Sequence, residues 1–214
     1  MQFAKRGFPV HCVELGKNLA DLLIEKSAKA KYNVKVDVSS FEDWKPPEYF
    51  ECSFIFSATA FHWLDIDIKY KKCHNLLRDN GYLVLLWNDA HDWYNPILQE
   101  AYRRLFSYYP DKLNNSNSNT VKTEKNESRR NEIIESGYFE IVDFLNYKWF
   151  PNEKKDIFTK AFFTQSSFLS LEKSQQHKLS AEIYDLFKEL DDEIKTEVHT
   201  SVFITKKLGR DNFL

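Results

Sequence analysis

Residues 57–65, SATAFHWLD, place a histidine between two aromatic side chains, directly after an apolar run. The ring faces of Phe61 and Trp63 favour a cation, and His62 can hold or release a proton near neutral pH. The same residue types also occur in ordinary core packing, so the pattern alone leaves both interpretations open. The place of this stretch in the fold decides what it can do.

Two further segments carry polar side chains at the ends of expected strands. Glu14 and Leu15 end the run VHCVEL at 10–15, and SSFEDW at 39–44 follows the run VKVDV at 34–38. A carboxylate at a strand terminus can accept hydrogen bonds from two neighbouring hydroxyl groups at once. It can equally be a solvated end residue, and only the surrounding fold separates the two interpretations.

Charge and cysteine content narrow the class of protein. The 214 residues include 30 basic and 32 acidic side chains, a formal net charge of -2, which gives no signal for nucleic acid or an anionic membrane. Cys12, Cys52 and Cys73 are scattered among apolar segments, which argues against a disulfide framework or a metal site. No apolar stretch suggests a membrane span or a signal peptide. We therefore expect a cytoplasmic protein with buried thiols, no metal, and a small molecule or a protein as its partner.

Strand and helix patterns alternate along the first half of the chain. The wholly apolar run CSFIF at 52–56 predicts a strand covered on both faces, and DIKYKKCHNLLRDNG predicts a helix that ends at Asn80–Gly81. The buried strand YLVLLW follows. Such alternation is typical of an α/β fold with a parallel sheet between helices. Ligands bind at the carboxyl ends of the strands in such sheets, so EL, SSFEDW and SATAFHWLD should share one edge.

The second half of the chain differs in character. Residues 114–128, NNSNSNTVKTEKNES, are almost free of apolar side chains, which predicts a mobile loop within a single domain covering 1–214. The segments at 139–150 and 197–208 alternate like strands. We interpret the helical block between them, from 154 to 194, as a cap.

In combination these segments resemble a known family. The succession VELGKNLADLL, NVKVDVSSFEDW, FIFSATAFHWLD and HNLLRDNGYLVLLWN is similar to the class I S-adenosylmethionine-dependent methyltransferases, in the methyltransferase type 11 branch that includes trans-aconitate methyltransferase. TQSSFLSL and the terminal EVHTSVFITKKL look like the same branch. The resemblance implies a Rossmann-like sheet with helices on both faces and S-adenosylmethionine as the cofactor. It also implies methyl transfer to an oxygen of a small molecule, with a carboxylate as the first candidate.

The resemblance also implies a set of cofactor-binding residues: Glu14, Leu15, Ser40, Phe41, Ser57, Ala58 and Thr59. Glu14 would bind the ribose hydroxyls and Leu15 would lie against the adenine, whose edge Ser40 and Phe41 would flank.

The remaining assignments concern the reactive end of the cofactor. Residues 57–59 match the loop beside its methionine part. The candidates for a catalytic role are His62 and Trp63, which would form the floor near the sulfonium. Arg129 and Arg130 can meet a carboxylate substrate, although a charge pair beside a polar loop is more often a solvated surface.

A glycine-rich turn does not occur in this sequence. Such folds place it roughly 20 residues before the ribose acid, whereas counting back from Glu14 passes Met1, and the five glycines form no GxGxxG pattern. MQFAKRGF instead resembles the tail of a helix closed by Gly7. We therefore expect 1–88 to be an incomplete, N-terminally truncated cofactor-binding half, with a central strand absent and its two neighbours about 9–10 Å apart.

Three functions remain open on these grounds. The first is an enzyme that transfers a methyl group, chiefly by positioning its acceptor and excluding water. The second is an inactive methyltransferase-like fragment that binds a protein through its open sheet centre or its cap. The third, a nicotinamide-dependent oxidoreductase, shares the ribose acid but does not account for FHWLD or the terminal strand.

Overall fold

A computed structural model describes residues 1–90, 95–109 and 118–209. The strands are β1 (Val10–Glu14), β2 (Val34–Val38), β3 (Cys52–Ala58), β4 (Leu77–Ala90), β5 (Phe139–Trp149), β6 (Asn152–Lys154), β7 (Glu193–Lys195) and β8 (Val198–Lys207). The helices are α1 (Gln2–Lys5), α2 (Lys17–Lys29), α3 (Ile66–Leu76), α4 (Pro96–Phe106), α5 (Ser118–Glu135), α6 (Lys155–Phe162), α7 (Ser166–Leu169) and α8 (Lys173–Leu186). A short 3₁₀ turn, Phe61–Trp63, lies between β3 and α3.

The strands form three hydrogen-bonded groups. β1 and β2 pair in parallel, with Val10 opposite Val34 and Glu14 opposite Val38. A four-stranded sheet has the order β3-β4-β8-β5, and β6 pairs with β7 in antiparallel fashion. β1 and β3 therefore belong to different sheets, and the sheet does not close by direct pairing between them.

The chain forms two compact units where the sequence predicts a single domain. The first comprises Met1–Val84, Ser136–Glu140 and Thr205–Leu214, and the second comprises Leu85–Glu135 and Ile141–Ile204. The core of the first unit includes buried side chains from three parts of the chain: Phe61, Tyr70, Cys73, Leu83 and Phe139. The core of the second unit includes side chains from α4 and from the helical block: Leu98, Leu105, Phe162, Leu179 and Ile183.

Side-chain caps set where several helices begin. The Asp65 carboxylate accepts a hydrogen bond from the Asp67 amide at 2.8 Å and starts α3. Asn95 accepts from the amide of Ile97 at 2.9 Å, with a proline next to it in the chain, and starts α4. These polar residues stand immediately before apolar helical patterns, which is why the helices begin there.

The helix before β4 is shorter than the sequence predicts. α3 ends at Leu76, and Asn80–Gly81 lies within β4, so the predicted end at Asn80–Gly81 is wrong. Asn80 takes the left-handed conformation, with φ of 60°. A Cβ on Gly81 would lie 2.8 Å from the Arg78 carbonyl oxygen, so the glycine serves a close backbone approach rather than a helix end. Gly7, with φ of 88°, does close α1 as predicted.

The prediction that β3 is covered on both faces is also wrong. Phe54 and Phe56 are 39% and 43% exposed, and no residue of β3 is fully buried. The physical reason is that β3 forms the edge of its sheet. On α2 the apolar side chains Leu19 and Leu22 are likewise exposed.

Residues 118–128 are helical, so the loop predicted over 114–128 is wrong for this part, and 114–117 lie outside the described residues. Polar contacts, together with the buried side chain of Ile133, hold α5. The Asn126 amide donates to the Ser201 hydroxyl at 3.1 Å, and Arg129 pairs with Asp89 at 3.2 Å. The strands predicted at 139–150 and 197–208 are confirmed. The block predicted over 154–194 is helical in most of its length, but its two ends belong to the short strands β6 and β7, which the sequence did not predict.

Candidate functional site

Glu14 is fixed in place at the carboxyl end of β1. Its Oε1 accepts a hydrogen bond from the Gly16 amide at 2.7 Å, immediately before α2 begins at Lys17. Its carbonyl oxygen accepts from the Ser39 amide at 3.1 Å, which joins the end of β1 to the segment after β2. Within the described ranges, no hydrogen bond engages Oε2, so this oxygen can accept a hydrogen bond from a ligand. Leu15 beside it is 73% exposed and offers an apolar surface.

Ser40 acts within its own loop rather than toward a ligand. Its hydroxyl donates to the Asp43 carboxylate at 2.8 Å and accepts from the Asp43 amide at 3.0 Å. The Trp44 amide donates to the Ser40 carbonyl oxygen at 3.0 Å and closes the turn. Ser40 therefore shapes the loop that presents Phe41, and its hydroxyl is already occupied.

Lys72 on α3 holds this loop in place through hydrogen bonds, a role that was not predicted from the sequence. Its ammonium donates to the carbonyl oxygens of Glu42 at 2.9 Å and Trp44 at 2.5 Å, and lies 5.2 Å from the centre of the Phe41 ring. Burial lowers the pKa of Lys72. The loop has a second contact with the start of α3, because the Glu42 carboxylate accepts a hydrogen bond from the Asp65 amide at 2.9 Å. We call these contacts the Lys72 clasp.

The segment after β3 separates into a strand end, a strained residue and a turn. Ser57 and Ala58 are the last residues of β3 rather than part of a loop, which corrects the sequence assignment. Thr59 has φ of 55°, a conformation that β-branched residues rarely adopt. Such strain is often found at binding sites. It redirects the chain into the 3₁₀ turn.

The three ring-bearing residues of that turn have different environments. Phe61 is 2% exposed and packs edge to face on Tyr70 with ring centres 5.1 Å apart. The Lys69 ammonium lies 5.0 Å from the Phe61 ring centre. His62 is exposed, Trp63 is 70% exposed, and their ring centres are 4.7 Å apart. Phe61 therefore anchors the turn, while His62 and Trp63 present their rings to solvent.

The contacts therefore bring together the ends of β1 and β2 and the start of α3. Glu14 contacts the segment after β2, and that segment contacts α3 through Glu42 and Lys72. All these residues belong to the first unit. The segment after β1 is thus joined to the segment after β2 by the hydrogen bond between Glu14 and Ser39. The segment after β3 contacts the segment after β2 through Asp65.

The second unit holds its own polar groups, which the sequence analysis largely missed. Arg129 pairs with Asp89, and its guanidinium lies 4.4 Å from the centre of the Trp87 ring, so its charge is already compensated. The Glu197 carboxylate accepts from Lys148 at 2.7 Å and from His199 at 2.5 Å. These two hydrogen bonds, that of Lys148 foremost, lower the pKa of Glu197 to about 2.

Two further classes of feature are absent from the described part of the chain. Residues 1–90, 95–109 and 118–209 contain no cluster of three or more histidine, cysteine or acidic side chains placed to hold a metal. None of the helices in these ranges combines the length and apolar character that a bilayer crossing requires.

Comparison with known proteins shows similarity at the level of structure only. No family model matches the chain, and no curated protein matches it significantly. The YcgJ protein of Bacillus subtilis shares 11% identity with a TM-score of 0.53, over 94% of this chain and 83% of that one. A candidate methyltransferase from Bacillus halodurans C-125 shares 13% identity with a TM-score of 0.51, over 94% and 84% of the two chains. The MccD protein shares 13% identity with a TM-score of 0.51, over 96% of this chain and 82% of that one.

At these identities the likeness concerns the fold. The chain has the Rossmann-like α/β fold of the class I methyltransferases, with helices on both faces of its sheet, as the sequence predicts.

Proposed function

We propose that this chain binds S-adenosylmethionine and transfers its methyl group to a small-molecule acceptor, with a carboxylate oxygen as the first candidate. One observation carries the proposal: in a class I methyltransferase fold, the Glu14 carboxylate is held at the carboxyl end of β1 with one oxygen still able to accept. A carboxylate at this position suits the two ribose hydroxyls of a nucleoside.

The residues around Glu14 fit the adenosine half of this cofactor. Leu15 is exposed and apolar, and Phe41 is positioned by the Lys72 clasp, so both can contact an adenine ring. The Ser40 hydroxyl is occupied by Asp43, so in this proposal Ser40 shapes the loop and does not contact the adenine directly.

The residues after β3 would serve the reactive half. When bound, S-adenosylmethionine supplies a methyl group on a positively charged sulfur. Residues 57–59 would lie beside its methionine part, and the exposed rings of His62 and Trp63 suit a cationic group. His62 can also accept a proton from an acceptor hydroxyl, whereas an ionised carboxylate acceptor needs no base.

Calorimetric titration of the full chain with S-adenosylmethionine tests the proposal. We expect a dissociation constant in the micromolar range. Glu14→Ala should weaken binding by about 1.5–3 kcal/mol, the scale of hydrogen bonds to a charged group, while Glu48→Ala, an exposed loop variant, should bind like the wild type. Unchanged affinity in Glu14→Ala would remove Glu14 from the site.

A second candidate function is favoured by the lack of a GxGxxG pattern in the sequence. In this alternative the chain is catalytically inactive and binds a protein partner. A folded protein that shows no heat of binding with S-adenosylmethionine or S-adenosylhomocysteine would support it over the enzyme. If cofactor binds, incubation with carboxylate acceptors and detection of methyl esters tests the reaction itself.

A further inference from the structure

The loop between β2 and β3 carries the sequence Pro-Pro-Glu-Tyr at 46–49. All four side chains are exposed. Tyr49 is 91% exposed, more than any other large apolar or aromatic side chain in the described ranges. A side chain with so little buried area gains little from packing, so the fold of this chain does not account for the tyrosine. We call residues 45–49 the proline loop.

Aromatic packing fixes the two ends of the proline loop. Trp44 is buried, and its ring meets that of Phe50 edge to face with centres 5.5 Å apart. The His11 ring contacts both, with centre distances of 5.1 Å and 5.4 Å. The Trp44 carbonyl oxygen also accepts a hydrogen bond from the Lys72 ammonium. The proline loop therefore projects from two ends that are held close together.

The backbone of the proline loop is close to polyproline II as far as Glu48. A residue that precedes a proline is confined to extended backbone, and this applies to Pro46 because Pro47 follows it. The Phe50 amide donates to the Pro47 carbonyl oxygen at 3.1 Å, which closes a turn. Tyr49 has a positive φ, of 59°, and Glu48 does not. This combination defines a type II turn, whose first central residue has φ and ψ of about −60° and +120°.

Tyr49 occupies the second central position of this turn, where glycine or asparagine is favoured. A bulky side chain in the left-handed region is rare. The local chemistry of the turn therefore does not account for the tyrosine any more than packing does. Backbone outliers of this kind cluster at ligand-binding positions. The exposed ring and its unfavourable backbone both point to a contact made outside the chain.

The spacing of the prolines and the tyrosine suits one mode of recognition. Polyproline II has three residues per turn and a rise of about 3.1 Å per residue, so in this conformation Pro46 and Tyr49 lie on one edge about 9 Å apart. Glu48 lies on another edge. Proline-recognition domains hold such segments in grooves lined by aromatic side chains, and the WW class recognises Pro-Pro-x-Tyr. SH3 domains require Pro-x-x-Pro, which none of the six prolines of this sequence forms.

Open space lies beside the prolines. A cleft of about 570 Å³ is lined by Pro46, Pro47 and Tyr49 of the loop and by Asn75 and Leu76 at the end of α3, among others. The face of the loop toward this helix is therefore not closed by packing. An aromatic ring of a partner can enter the cleft, as a groove that holds a proline pair from two sides requires.

We propose that the proline loop is a docking motif for a WW-type domain of another protein. Pro46 and Pro47 enter the aromatic groove of that domain, and Tyr49 fills the neighbouring pocket. Because residues 46–48 are already close to the required conformation, binding has to reorder only the turn at Tyr49. Opening this turn also releases Tyr49 from its left-handed backbone. The inference does not depend on the proposed function, and its tests contain no cofactor.

An NMR titration tests the proposal. An isotope-labelled WW domain that binds Pro-Pro-x-Tyr peptides is titrated with the full, unlabelled chain. We expect saturable shifts of the resonances from its aromatic groove, and a synthetic peptide of residues 43–51 should compete for the same groove. A WW spectrum that stays unchanged at a large excess of the chain would overturn the proposal, whether or not the peptide binds, because the motif would then not be accessible in the folded protein.

Two substitutions within the motif separate specific docking from loose association. Tyr49→Gly removes the ring and suits the left-handed backbone, so the variant should melt no lower than the wild type. It should weaken WW binding by about tenfold or more, as expected for an anchoring side chain. Glu48→Ala is the matched control and should bind within about twofold of the wild type, as for other surface substitutions. Unchanged affinity in Tyr49→Gly, or an equal loss in Glu48→Ala, would overturn the proposal.

Discussion

Phe61 and Trp63 are only two positions apart in the sequence, but one side chain is buried and the other is exposed. Phe61 is 2% exposed and packs on Tyr70, whereas Trp63 is 70% exposed. Phe61→Ala should therefore lower the free energy of unfolding by roughly 3–5 kcal/mol, the usual cost of removing a buried aromatic side chain. Trp63→Ala should change it by about 0.5 kcal/mol or less, as for other surface substitutions. Urea unfolding of both variants measures the difference.

Comparable destabilisation by Phe61→Ala and Trp63→Ala would show that Trp63 is packed in solution. His62→Ala adds a further test, because an exposed histidine should leave the unfolding midpoint close to that of the wild type. If only His62→Ala unfolded the protein, the imidazole would be buried in solution rather than exposed.

The lowered pKa of Glu197 predicts that the stability of the folded chain decreases in acid. Its hydrogen bonds to Lys148 and His199 lower its pKa from the ordinary 4.5 to about 2 in the folded chain. A lowered folded-state pKa contributes stability above pH 4.5 that is lost as the pH falls toward 2. The difference in melting temperature between wild type and Glu197→Gln should thus be largest above pH 4.5 and shrink below it.

Thermal melts across this pH range measure the effect of Glu197. Glu140→Gln, which changes an exposed glutamate of β5, serves as the control and should follow the wild-type curve. A constant difference between wild type and Glu197→Gln down to the lowest pH would mean that the carboxylate gains no stabilisation from its two partners.

At the scale of elements, the Lys72 clasp connects the loop after β2 to α3. Lys72→Met keeps the apolar stem and removes the hydrogen bonds to the carbonyl oxygens of Glu42 and Trp44. We expect a loss of about 1–3 kcal/mol in unfolding free energy. Amide exchange should also become faster at Asp43 and Trp44, whose amides bond to Ser40. Chemical denaturation and hydrogen exchange provide the two measurements.

The neighbouring Lys71 supplies the control for the clasp. It is exposed on the same helix, so Lys71→Met changes charge and helix propensity equally without touching the loop. If both variants increase exchange in the loop to the same extent, the loop is held by something other than the Lys72 ammonium.

At the scale of the whole molecule, the three thiols report on global unfolding. Burial raises the pKa of Cys12, Cys52 and Cys73, and Cys73 is the most buried at 1% exposed. Alkylation with iodoacetamide at neutral pH should therefore be slow in the folded protein and slowest at Cys73, because the thiolate is the reactive form. In denaturant all three should react at similar rates. Mass spectrometry of the labelled peptides gives each rate, and rapid native labelling of Cys73 would contradict the described core.

The sequence predicts element types well because these depend on local patterns. The alternation in 139–150 and the end of α1 at Gly7 are set by neighbouring residues, and both are confirmed. Burial of β3 was predicted wrongly because it depends on which strands flank it, a property of the whole sheet. The helix over 118–128 was missed because its contacts, such as Asn126 with Ser201, join residues distant in sequence.

The residues of the candidate site also differ in how readily the sequence predicts them. Glu14 is recognisable because an acid that ends a strand before a helix is a local pattern. Lys72 is not, because on an amphipathic helix a lysine looks like any solvated side chain until the loop carbonyl groups are placed beside it. Residue type and spacing therefore indicate a candidate ligand contact more readily than the residues that hold it in position.

The unequal exposure of the four tryptophans in the described ranges has an optical consequence. Trp44 and Trp87 are 6% and 4% exposed, whereas Trp63 and Trp149 are 70% and 45% exposed. An indole in water emits at longer wavelengths and meets dissolved quenchers more often than one enclosed in a core. Acrylamide should therefore quench the long-wavelength side of the emission first, and much of that component should disappear in Trp63→Phe. Since Trp63 stands beside the candidate site, the intrinsic fluorescence of this chain offers a label-free reporter of what binds there.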